Sequence, residues 1–208
     1  MKLIRNNYKW LICFLCLILV IYVTIMILNN NLIGIDSSFY NLIKEYLFSD
    51  NMTKIIKIIT FFGSSLCIII ISILLVILVG DKNIKVLICS NLILVTLFNQ
   101  LLKHIIKRPR PYYKIIEENG YSFPSGHSMV SMAFYGLLIY LIYKYIRNKY
   151  LKYSLIIILS ILIILIGISR IYLGVHYTTD VVCGYLLAII CLIVNVSIYN
   201  KNRILIRK

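Results

Sequence analysis

The residues best suited to chemistry in this chain fall in three short stretches. They are Lys103-His-Ile-Ile-Lys-Arg-Pro-Arg110-Pro111, Tyr121-Ser-Phe-Pro124-Ser125-Gly126-His127-Ser128, and Ser169-Arg170-Ile-Tyr172-Leu-Gly174-Val-His176-Tyr-Thr-Thr-Asp180. Lys103, Arg110 and Arg170 supply three cations. An arginine presents a planar fork of donors that suits phosphate oxygens, and a lysine adds a point charge. Ser125, Gly126 and His127 stand where a helix is expected to begin. The unpaired N–H groups and the dipole at such a terminus favour an anion, and Gly126 leaves room for close backbone approach. A cradle of this kind suits a phosphoryl group and the added negative charge of its transition state.

Two histidines remain for covalent or proton-transfer work. With His176 and Asp180 in the first turn of a helix, i,i+4 spacing puts both on one face. Asp180 would then accept from one imidazole nitrogen and leave the other free to attack phosphorus. His127 would protonate the leaving oxygen as general acid. His104 reads as a surface histidine. The acidic residues that share this side of the chain are Asp36, Glu45, Asp50, Glu117, Glu118 and Asp180. They form no D-x-D pair or acidic cluster of the kind a magnesium-dependent phosphatase needs, so no metal is expected. No Walker motif is present, which disfavours an ATP-driven kinase.

The three stretches can meet only if the segments between them return the chain to one place. Those segments are marked by missing charge. Uncharged runs of 26, 23, 17, 16, 17 and 20 residues begin after Lys9, Lys57, Lys85, His127, Lys152 and Asp180. Each is dominated by Ile, Leu, Val and Phe. A hydrocarbon core about 30 Å thick is crossed by roughly 17 to 25 apolar residues in a helix, so the shorter runs must borrow flanking residues. The pattern predicts an all-α, polytopic membrane protein: a six-transmembrane-helix bundle forming a single domain over 1–208. Its spans lie at roughly 10–28, 58–79, 86–102, 128–143, 153–169 and 181–200. Phe39, Leu42, Ile43, Tyr46 and Leu47 at helical spacing predict an interfacial helix near 37–48, with no chemistry implied. The first run exceeds a signal-peptide core and no small-x-small cleavage site follows it, so it is expected to stay as a helix. All six cysteines fall in apolar runs and read as small hydrophobes.

Composition agrees. The chain has 208 residues, 61% hydrophobic and 14% charged, with a net charge of +15. A soluble domain would carry roughly 25% charged residues. Strong basicity often marks nucleic-acid binders, but these display Lys and Arg on a polar surface that this chain lacks, so no nucleic-acid partner is expected. With both termini assigned to the cytoplasm, the inner segments carry +12 and the outer segments +3. That asymmetry obeys the positive-inside rule. The outer loop holding Lys103, Lys107, Arg108, Arg110 and Lys114 breaks the trend, and it also holds all three prolines. Its cations need a local reason.

These stretches closely resemble the signature of the type 2 phosphatidic acid phosphatase family: K-x6-R-P, then P-S-G-H, then S-R-x5-H-x3-D. Lys103, Arg110 and Pro111 match the first element. Pro124 to His127 match the second, and Ser169, Arg170, His176 and Asp180 the third. The resemblance implies a metal-independent, cofactor-free, two-step hydrolysis of a lipid phosphate or pyrophosphate. It gives His176 the role of nucleophile and phosphohistidine, and Asp180 that of its orienter. His127 is the acid and then the base, while Lys103, Arg110, Ser125, Gly126 and Arg170 hold the phosphoryl oxygens. The site would lie at the extracytoplasmic membrane interface of the cell membrane, where membrane lipids supply the substrate. Undecaprenyl pyrophosphate, phosphatidate and phosphatidylglycerophosphate all fit, with carrier-lipid recycling preferred. The competing reading is a non-catalytic lipid-binding or transport protein that keeps the fold. Loss of a histidine or an inverted repeat would favour it, and the sequence shows neither.

Overall fold

A computed structural model describes residues 4–31 and 33–205. Lys2, Arg5, Arg203, Arg207 and Lys208, counted above among the inner cations, lie outside the residues whose side chains are described. The chain is all-α. Its helices are α1 (Ile4–Leu28), α2 (Ile33–Leu47), α3 (Asp50–Phe61), α4 (Ser65–Leu78), α5 (Lys82–Ile106), α6 (Gly126–Tyr145), α7 (Lys149–Tyr172) and α8 (Thr178–Leu205). No strand occurs among the described residues.

The expected span over 58–79 is not one helix. It takes in the last turn of α3 and the whole of α4, a pair bent by 43°. The break has a local cause. The Ser64 side chain accepts from the Cys67 N–H at 3.3 Å and starts α4 anew, as an N-cap does. Gly63 lies at the elbow, where a Cβ would come 2.5 Å from Ile166 of α7 and 3.4 Å from His127. The other expected spans extend beyond their charge-free runs. Asp81 caps α5 by accepting from Asn83 N–H at 2.8 Å, so Lys82 and Lys85 fall inside its first turn. Lys107 closes α5 in the left-handed region, with φ 51°. The helix expected near 37–48 begins earlier, at Ile33, which brings Asp36 into its first turn.

Helix α6 lies at the centre, packed against α5, α7 and α8, while α1 packs on α8. Ser128, Ser131, Ala133 and Gly136 of α6 are among its buried residues. Such small side chains let helices approach closely where no hydrophobic force drives them together. The packing is inside out by the standard of a soluble protein. Leu11, Phe14, Ile69, Leu97, Ile157 and Ile161 are exposed, whereas Asn91, Asn99, Ser131 and Asn195 are buried. Among the described residues, five helices are long and apolar enough to cross a membrane, besides the bent pair. An exposed apolar surface of this extent belongs in lipid, and the chain is a multi-pass membrane protein. The C-terminal ends of α5 and α7 and the N-terminal ends of α6 and α8 meet at one end of the bundle. There α2 is seated through Tyr40 and Ile43 against Ile171, Leu173, Val175 and Val181.

Candidate active site

The Pro-Ser-Gly turn is held from two sides. Asn99, one turn before Lys103 on α5, donates from Nδ2 to the Pro124 carbonyl at 3.2 Å. The Ser125 N–H donates to the Asp180 carbonyl at 3.1 Å. Gly184 of α8 permits the second contact, since a Cβ there would lie 3.0 Å from the Ser125 carbonyl. Ser125 is the N-cap of α6, and its hydroxyl accepts from Ser128 Oγ at 2.9 Å instead of capping the helix. The opening N–H groups of α6 have no intrahelical acceptor and present their dipole to the bundle end.

His176 is delivered by the short connection between α7 and α8. Gly174 turns the chain with φ +66°, and a Cβ there would meet the Tyr113 carbonyl at 2.6 Å. The position therefore requires glycine on both counts. The His176 side chain is buried, and its Nε2 lies 3.2 Å from Arg110 Nη1. Its Nδ1 faces Asp180 Oδ2 at 3.5 Å and has no nearer partner. Catalytic hydrogen bonds are often this long before substrate closes the site. Asp180 Oδ2 also accepts from the Tyr177 N–H at 2.9 Å. Burial pushes the His176 imidazole down to about 4; Asp180 opposes this, and Arg170 and Arg110 add to it. At neutral pH the ring is uncharged, and its Nε2 lone pair accepts from Arg110 Nη1.

Around it stand the cations. Arg110 donates to the carbonyls of Gly120, Val175 and Asn119 at 3.1, 2.9 and 2.9 Å, which ties the loop after α5 to the His176 turn. Arg170 is only 1% exposed. Its Nη1 donates to Thr60 Oγ1 at 2.8 Å, its Nη2 to the Glu118 carboxylate, and its Nε has no partner. Lys103 shares the electrostatic field of Arg110, Glu118, Asp180 and Arg170, and His127 that of Arg170, Glu118, His176 and Lys103. Neither the Lys103 nor the His127 side chain makes a hydrogen bond among the described residues. All eight residues singled out in the sequence lie at this end of the bundle. His104 is exposed, with a hydrogen bond to the Gln100 carbonyl and an edge contact with Tyr121.

Four further residues join them that no motif marked. Glu118 sits between the guanidinium groups of Arg170 and Arg110. Burial would raise its carboxyl, but Arg170, His127 and Arg110 outweigh that and hold it below the usual carboxylate range. Thr60 of α3 buttresses Arg170. Arg108 forks between two buried carboxylates, Asp36 at 2.6 Å and Asp180 at 2.7 Å. Only Arg108 carried a signal, as part of the Pro-locked basic run. Among the described residues, no group of three or more His, Cys, Asp or Glu side chains could hold a metal ion.

A family model described as the PAP2 superfamily matches residues 84–204. Phosphatidylglycerophosphatase B of Bacillus subtilis is 39% identical over 99 residues, covering 45% of this chain and 47% of that protein. The match thus spans about half the length of that relative. Undecaprenyl-diphosphatase of Sulfolobus acidocaldarius is 26% identical over 192 residues, 88% of this chain and 87% of the relative. Among solved structures, the chain is similar to a transmembrane PAP2 type phosphatidylglycerolphosphate phosphatase from Bacillus subtilis. The TM-score is 0.81 at 26% identity, over 91% of this chain and 96% of the other.

Proposed function

This chain belongs to the PAP2 superfamily, and we propose that it is a membrane-embedded lipid phosphate phosphatase acting through a phosphohistidine. The observation that carries the reading is the convergence on one point of a buried His176, its carboxylate partner Asp180, and the guanidinium groups of Arg110 and Arg170. In the first step Nε2 of His176 attacks phosphorus and the bond from phosphorus to the leaving oxygen breaks. His127 gives that oxygen its proton. Asp180 stabilises the charge that develops on the imidazole. Arg170, Arg110, Lys103 and the first turn of α6 at Ser125 and Gly126 take the charge on the equatorial oxygens. In the second step His127 accepts a proton from water, which attacks the phosphohistidine and releases inorganic phosphate.

We read α3 and α4 as one broken span, which makes six. Both termini then lie in the cytoplasm with most of the positive charge, and the site lies at the extracytoplasmic interface. The substrate is a phosphorylated lipid whose head reaches the site while its tail stays in the bilayer. The names of the relatives support a lipid monophosphate or diphosphate. No metal or cofactor enters the reaction.

The test is phosphate release by purified protein against phosphatidate, phosphatidylglycerophosphate and undecaprenyl pyrophosphate, with and without excess chelator. Release from at least one lipid, unchanged within about twofold by chelator, is the expected result for a reaction that owes nothing to a metal. A strict magnesium requirement, or no release from any of the three, would overturn the proposal.

A further inference from the structure

The side chain that holds Asp180 in place is itself held by another helix. Arg108 Nη1 donates to Asp180 Oδ1 at 2.7 Å and to Thr179 Oγ1 at 2.8 Å, and its Nη2 donates to Asp36 Oδ2 at 2.6 Å. Asp36 is 1% exposed and Asp180 0%. Asp36 accepts two more hydrogen bonds, from the Thr179 N–H and the Thr179 hydroxyl, both at 3.0 Å. A carboxylate from α2 thus caps the first turn of α8, the turn that carries Asp180. The Arg108 guanidinium also lies 4.0 Å over the Tyr177 ring. One fork of donors serves two buried anions, an arrangement only an arginine can make. Asp180 Oδ2 is left for His176 and the Tyr177 N–H.

We propose that Asp36 and Arg108 are positioning residues for the nucleophile: the chain Asp36–Arg108–Asp180 fixes the orienting carboxylate, and through it the tautomer and aim of His176. The proposal rests on the phosphatase reading for its catalytic consequence, but not for its structural content. Neither residue touches the reacting atoms. Their effect is on alignment, where a small misplacement of a catalytic group costs rate more than binding. Removing Arg108 alone leaves two buried carboxylates facing each other without a cation, which is worse than removing the pair.

The experiment uses full-length protein in lipid nanodiscs, as wild type, Asp36→Asn, Arg108→Gln and the double variant. Turnover of whichever of phosphatidate, phosphatidylglycerophosphate and undecaprenyl pyrophosphate the wild type hydrolyses fastest is followed together with nitrogen-15 spectra of the histidines. The chain has only 3 histidines, so His176 can be assigned by its loss in a His176→Gln sample. Arg108→Gln is expected to lower kcat by about 10- to 100-fold while KM moves less than about threefold, and to convert the Nδ1–H tautomer of His176 into a mixture. The double variant is expected to recover at least about fivefold in kcat over Arg108→Gln, through the coupling of the two sites, and to regain the single tautomer. The spectra are read without turnover. A protein that hydrolyses none of the lipids, yet shows the tautomer change and its recovery, keeps the relay and loses the phosphatase reading. An unchanged His176 tautomer in Arg108→Gln, or a double variant no better than Arg108→Gln, overturns the relay.

Discussion

Replacing His176 by alanine is expected to lower phosphate release by at least about 10⁴-fold, the scale on which removal of a nucleophile acts in enzymes whose catalytic groups work as a unit. Nε2 faces the Arg110 guanidinium at 3.2 Å, so the lone pair points into the cation cluster where a phosphoryl group would rest. Nδ1 faces the carboxylate that would stabilise the imidazolium. Burial holds the ring at about 4, so nearly all of it is in the nucleophilic form at neutral pH. The neighbouring cations oppose its protonation, and a bound phosphate would offset them. Expression, membrane insertion and thermal stability serve as controls, because the alanine removes one contact with Arg110 and leaves that arginine its bonds to the Gly120, Val175 and Asn119 carbonyls. Turnover that persists near the wild-type rate in His176→Ala would remove His176 from the chemistry.

The second large effect is expected at Arg170. Arg170→Ala should lower kcat/KM by about 10²- to 10³-fold, the usual cost of losing one donor to transition-state charge. Arg170 is 1% exposed, holds Thr60 with one arm and Glu118 with another, and has an Nε donor with no partner. A buried guanidinium with an unused donor is costly unless a ligand takes it, and a phosphoryl oxygen is such a ligand. Glu118 balances part of the Arg170 charge, and the unpartnered Nε is left for the phosphoryl oxygen. Arg170→Lys is expected to recover little, since an ammonium cannot serve Thr60 and a phosphoryl oxygen in one plane. Steady-state rates against a lipid phosphate, with melting temperature as control, decide this. Activity within about tenfold of wild type in Arg170→Ala would leave Arg170 a packing role only.

The parts of the site written in contiguous residues could be read from them. Pro124 to His127, and His176 with Asp180, have chemistry that depends on local spacing, and charge-free runs mark the helices that carry them. Other parts depend on distance in the chain. Asp36 and Arg108 are 72 residues apart, as are Arg108 and Asp180. An acid in the first turn of an amphipathic helix looks like any dipole partner until the fold buries it. Glu118 carries no motif, and only the fold sets it between Arg110 and Arg170. The break at Gly63 and Ser64 escaped because hydropathy registers which residues are apolar and not where the backbone bends. One 23-residue uncharged run therefore read as one helix.

Covalent phosphoryl transfer to His176 can be trapped by rapid acid-free quenching of the purified protein with radiolabelled lipid phosphate in the presence of chelator, followed by peptide mapping of the label. An acid-labile, alkali-stable label is expected on the peptide carrying His176, formed before phosphate appears and absent from His176→Ala. Phosphate release by wild type with no trapped label at any time, or the same label in His176→Ala, would contradict it.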